Sequence, residues 1–150
     1  MSIIKNSNLL ISVCRIFFVS LDDVSNVFMV PDRYHRTVIL KSGKQWKEIY
    51  FTAGTAEFTE KSKVTDAGEL IDQILKFIFP GEDESNLSDL DSILGPPGIV
   101  KIELPVGYKI IGDINCGAKL QQNYQISAKS TGSQFEFTCT ATYRSCWLNS

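Results

Sequence analysis

The feature that most constrains this chain is the two-residue alternation running through its last third. Val100, Ile102 and Leu104 alternate with Lys101 and Glu103, and after a turn at 105–107 Tyr108, Ile110 and Ile114 share a face. Leu120, Tyr124, Ile126 and Ala128 then oppose Gln121, Asn123, Gln125 and Ser127. A Ser130-Thr131-Gly132-Ser133 turn leads to Phe135, Phe137, Cys139, Ala141 and Tyr143 opposing Gln134, Glu136, Thr138, Thr140 and Thr142. Side chains along a strand point alternately to its two faces, so this pattern predicts four successive half-buried strands. Spacing of about ten residues with turn signals between them is the signature of an antiparallel sandwich or barrel.

The rest of the chain extends the same reading. Residues 9–21 alternate as a long strand, with Leu9, Ile11, Val13, Phe17, Val19 and Leu21 at odd positions. A short strand fits 27–30, and residues 37–41 and 46–52 flank Ser42-Gly43-Lys44 as a predicted hairpin. Trp46, Glu48 and Tyr50 fall on one face of its second strand and Ile49 and Phe51 on the other, so both faces call for cover. Residues 52–66 are polar apart from Phe58 and suit an arm or hairpin tip. Residues 68–79 fit a helical stripe or a pleated face; the closing Phe77-Ile78-Phe79 favours a strand that pairs back on 46–58. Within 80–95, an acidic start at Glu82, Asp83 and Glu84 and apolar Leu87, Leu90, Ile93 and Leu94 predict one short α-helix, which Pro96 and Pro97 stop. The expectation is one mainly β domain over residues 1–150, an antiparallel sandwich or barrel with one short helix and an extended hairpin arm at 47–79.

Composition narrows the chemistry. At 150 residues and 43% hydrophobic content, the chain is large enough to bury a core without a metal or disulfide to hold it. A formal charge of −2 lacks the footprint of a general nucleic-acid binder. The one histidine, His35, is expected in a Pro-Asp-Arg-Tyr-His-Arg loop rather than beside a nucleophile motif, and neither a phosphate-cradling loop nor a dinucleotide fingerprint is present. Acidic residues between 82 and 91 depart from the calcium-loop spacing. Cys14, Cys116, Cys139 and Cys146 contain no C-x-x-C pair and read as buried thiols, with Cys139 and Cys146 on opposite faces of one extended segment. No enzyme, cofactor, metal or small-molecule substrate is expected. The apolar run at 9–21 is too short to span a bilayer and Arg15 interrupts it, so a soluble protein without a leader is expected. Arg33, Arg36, Lys44 and Lys47, with Tyr34 and Trp46 near them, form the one cluster that could follow phosphates and contact DNA.

The element order resembles the tail-tube-like sandwich of bacteriophage structural proteins. Trp46-Lys47-Glu48-Ile49-Tyr50-Phe51, Ala56-Glu57-Phe58, Ala67-Gly68-Glu69-Leu70, Phe79-Pro80-Gly81, Tyr108-Lys109-Ile110-Ile111-Gly112 and Tyr143-Arg144-Ser145-Cys146-Trp147-Leu148 are similar to words in the small head-tail and tail-ring proteins of phages infecting Bacteroidetes, including crAss-like phages. That resemblance implies a non-enzymatic virion protein, assembled in the host bacterial cytoplasm, which forms a homo-oligomeric ring with other virion proteins around a DNA channel. The hairpin arm is then the subunit contact, with Tyr50, Phe51, Phe58, Leu70, Ile74 and Phe77 as its interface. The alternative is a secreted or lipoprotein-like β-sandwich adhesion module, for which a processed N-terminus and an oxidised Cys116–Cys139 pair are expected. A small ligand-binding or enzymatic barrel would instead need an enclosed polar pocket around His35 or convergent acids.

Overall fold

The computed structural model describes residues 13–29, 35–52, 54–79, 94–127, 130–141 and 145–148. Within them lie strands β1 (Arg15–Ser20), β2 (Val24–Met29), β3 (His35–Leu40), β4 (Lys47–Ile49), β5 (Glu57–Thr65), β6 (Gly68–Phe79), β7 (Gly98–Leu104), β8 (Gly107–Ile111), β9 (Lys119–Ser127), β10 (Ser130–Ala141) and β11 (Cys146–Leu148). A single 3-10 turn, Leu21–Asp23, joins β1 to β2. The strands form two sheets, one of seven in the order β2-β3-β11-β8-β7-β1-β4 and one of four in the order β5-β6-β10-β9. Pairing is antiparallel except where β11 runs parallel to β3. The protein is mainly β, as the alternation predicts.

One apolar cluster draws on both sheets. Ile16, Phe18, Val100, Ile102 and Ile111 of the seven-stranded sheet pack with Leu75, Phe77, Phe79, Phe135 and Phe137 of the four-stranded one. Phe18 stacks on Phe137 across the gap at 5.5 Å, and Phe77 stacks on Phe135 and Phe137 at 5.8 and 6.0 Å. Offset stacking suits rings whose faces are negative and edges positive. A second cluster forms on the reverse face of the larger sheet. Val19 and Ile99 are partners in register one step beyond Phe18 and Val100, so they point the other way. Val27, Val38 and Leu40 of β2 and β3 pack on them with Trp46 and Leu148, so the large sheet curls enough for its own edge to cover its back. Trp46 joins this second cluster while Ile49 and Phe51 join the first, so the Ile49 face around 46–52 is covered and the Trp46 face only in part, since Tyr50 stays 68% exposed.

Several expectations are redrawn. The four strands of the last third all form, yet β7–β8 belong to one sheet and β9–β10 to the other, and residues 130–133, expected as a turn, already belong to β10. The hairpin of 37–41 with 46–52 does not form. The turn is real, with Lys44 N–H donating to Lys41 O and Gly43 at φ +79, but β3 pairs with β2 and β11, and β4 crosses to β1 through Ile16↔Ile49. A turn brings its flanks close; the apolar faces available elsewhere decide the partner. Residues 68–79 are a strand, and it pairs with Glu57–Thr65, which overlaps the expected 46–58 only at Glu57 and Phe58, and with β10 on its other side. The strand expected at 9–21 begins at Arg15 among the described residues, His35 opens β3 rather than lying in a loop, and the helix expected within 80–95 falls largely outside the described residues.

Candidate functional site

The hairpin arm is built from β5 and β6, joined by a turn at Asp66-Ala67. Thr65 Oγ1 donates to Gly68 O at 2.8 Å and Gly68 takes φ +118, a conformation that a side chain disfavours. The inner face of β6 alternates Ile71, Gln73, Leu75, Phe77 and Phe79, all buried. β10 pairs with β6 only from Phe79 back to Ile71, where Ala141 is its partner. Beyond that point, among the described residues, 63–65 and 68–70 pair only with each other, and Val64 at the tip is 88% exposed. Lys63 Nζ lies 3.2 Å from Asp72, whose carboxylate also accepts from Thr140 Oγ1 at 2.8 Å; these bonds, the Thr140 one foremost, hold Asp72 below the usual carboxylate range.

The six interface residues named from the sequence separate into distinct environments. Phe77 is fully enclosed within its own chain, Phe51 meets it edge-on at 6.5 Å, and Phe58 packs against the same core. Leu70 and Ile74 are half-buried on the outer face of β6. Tyr50, just after β4, is 68% exposed. Among the described residues, β4 is one edge of the large sheet and β5 one edge of the small sheet, so residues 47–65 supply an edge strand to each. The link between them is tied down where Thr52 N–H donates to Ile78 O at 2.8 Å and Ile78 N–H to Thr55 Oγ1 at 3.2 Å. Glu60 accepts from Ser145 N–H at 2.8 Å and from Ser145 Oγ at 3.2 Å, and Lys109 Nζ donates to that hydroxyl at 3.3 Å, which locks β5 to the strand-connecting segment before β11.

The basic cluster expected to face DNA is not brought together as a surface. Arg33 lies outside the described residues. Arg36 is only 4% exposed, with Nη1 3.7 Å from Asp113 Oδ2 and a hydrogen bond to the Cys146 thiol, so its charge is committed inside the fold. Lys44 lies 3.8 Å from Asp23 in an exposed turn, and Lys47 is half-buried on β4, at the far end of the sheet order from β3.

Three features lack a linear motif. Lys101 Nζ sits 4.5 Å from the Phe17 ring, 4.7 Å from Trp46 and 5.0 Å from Tyr108, an aromatic enclosure assembled from separate strands. Burial holds the Lys101 pKa below its ordinary value, against the pull of nearby Glu103. A cavity of about 470 Å³ opens at one end between the sheets, walled by Val13, Phe58, Ile102, Leu104 and Trp147 with Lys109 at its side. Third, the turn from Asp113 to Cys116 carries Cys116 to within 3.4 Å of Cys139 on β10, Sγ to Sγ.

Comparisons with known protein families, curated proteins and solved structures find no match. Among the described residues, no three His, Cys, Asp or Glu side chains gather in a way that could hold a metal ion, and no helix is long and apolar enough to cross a membrane. The site with the clearest physical consequence is therefore the open-edged segment 47–65 with its projecting tip. The polarity of 52–66 was legible in the sequence, while the double-edge placement depends on β4 leaving its local partner for β1.

Proposed function

We propose that this chain is a non-enzymatic structural subunit that assembles with copies of itself into a ring, of the tail-tube-like kind found in phage head-tail connectors and tails. The observation that carries the reading is that, among the described residues, one segment, 47–65, supplies an edge strand with no outer partner to each sheet and leads to a two-stranded tip with exposed Val64. Open edges are templates for pairing with another chain, and two-stranded ribbons are marginal in water until something packs on them. A tip that reaches a different surface of the next copy makes a heterologous contact, which closes into a ring when the rotation permits. Virion location, neighbouring virion proteins and contact with packaged DNA belong to the same proposal.

Native mass spectrometry on concentrated protein tests it with Val64→Glu, which places charge on a residue already in solvent and leaves the fold alone. The wild-type protein is expected to form a cyclic oligomer and the variant to fall to monomer. A wild-type monomer at all concentrations, or an equally oligomeric variant, overturns the proposal. Removing 53–66 is unsuitable because it deletes β5 and with it the Glu60 bonds to Ser145. The second reading, an exported adhesion module, draws support from the Cys116–Cys139 thiol contact; a processed N-terminus in the mature mass would favour it.

A further inference from the structure

We propose that Cys116 and Cys139 are an inter-sheet disulfide site, closed when the reduced protein meets a low-molecular-weight disulfide such as oxidised glutathione. Cys139 lies on β10 in the four-stranded sheet, and Cys116 belongs to the turn that follows β8 of the seven-stranded sheet, 23 residues away. Both are thiols, with their sulfurs 3.4 Å apart. Closing that gap to a bond of about 2.05 Å asks for a sulfur movement of roughly 1.4 Å, which side-chain rotation and a small turn adjustment supply.

The approach of the two thiols is built rather than incidental. Asp113 N–H donates to Cys116 O at 2.8 Å and Cys116 N–H to Asp113 O at 3.1 Å, closing the turn on itself. Gly98 and Ala118 exchange bonds of 2.9 and 2.8 Å that pin the turn to the start of β7. Asp113 also faces the buried Arg36 guanidinium. Cys116 Sγ donates to Thr140 O at 2.8 Å, so the thiol already reaches across to the strand that carries its partner.

The two thiols differ in a way that orders the reaction. Cys116 is partly exposed, while Cys139 is buried and its pKa is pushed well above the usual thiol range, first by loss of solvent and then by Cys116. Cys116 as thiolate attacks oxidised glutathione, forming a mixed disulfide and releasing one glutathione. Cys139 then loses its proton, attacks the Cys116 sulfur and displaces the second glutathione. Two protein thiols lose two electrons, one oxidised glutathione gains them, and the two thiol protons end on two reduced glutathiones. A chain made in a reducing compartment would thus acquire a covalent tie between its sheets on reaching an oxidising one. The inference rests on neither functional reading, since it concerns a contact within one subunit.

The test is to incubate fully reduced protein with oxidised glutathione and follow intact mass, peptide maps and thermal melting. The expected result is loss of two hydrogens, a Cys116–Cys139 cross-linked peptide, and a Tm rise on the order of 10 °C that a reductant reverses. Cys146→Ser should oxidise as the wild type does, whereas Cys139→Ser should stop at a stable glutathione adduct on Cys116. A wild-type protein that retains the adduct, links another cysteine pair, or resists oxidation under conditions that oxidise a control dithiol overturns the proposal.

Discussion

Phe77→Ala separates a core residue from an interface residue, two roles between which the sequence pattern does not distinguish. In the structure Phe77 has no exposed surface, stacks on Phe135 and Phe137 at 5.8 and 6.0 Å, and receives the edge of Phe51 at 6.5 Å. Truncation removes a whole ring from a close-packed layer between two sheets, where strands held by ladders on both sides have little freedom to collapse into the space. Buried Phe→Ala changes cost about 3–5 kcal/mol, and three ring partners place this one near the middle, about 4 kcal/mol. Against a total of about 5–15 kcal/mol that is a large share, and for a chain of this length it lowers Tm by about 10 °C. Urea titration by far-UV circular dichroism, at a protein concentration where the wild type is monomeric, reads the loss directly. A variant that melts within about 1 kcal/mol of wild type while failing to oligomerise would refute the reasoning, because Phe77 would then be packing on a neighbour.

Gly98→Ala should destabilise by about 3 kcal/mol or more, since a Cβ there lands inside the Phe18 ring and against the Val19 carbonyl, and a backbone atom cannot rotate away; a thermal melt close to wild type would mean β1 and β7 are looser than they stand. Lys101→Met tests the aromatic enclosure through pH. Because the folded-state pKa of Lys101 is depressed, the unfolded chain binds more protons between that value and 10.5, so wild-type stability relative to the variant should rise with pH across that window and stay level below it; urea midpoints at several alkaline pH values read this, and a flat difference would contradict it.

The local alternation was enough to determine that this chain is a β protein, because a two-residue apolar period sorts side chains to opposite faces whatever the partners are. It marked all four strands of 98–141 to within a few residues; the hairpin arm expected at 47–79 forms over 57–79. Polarity at 52–66 likewise announced an exposed arm or tip, since no neighbour is needed to keep Lys61, Lys63 and Asp66 in water. Only tertiary structure decided which strands share a sheet. The turn at 42–44 invited a hairpin, but Ile49 gains more by pairing with Ile16 over the common core, and no local signal encodes that competition. The same long-range choice buried Arg36, enclosed Phe77, gathered Phe17, Trp46 and Tyr108 around Lys101, and set Cys116 beside Cys139. Each of these depends on residues distant in sequence meeting across strands or between sheets, and pairing of that kind is settled by the packing of whole faces rather than by any segment alone.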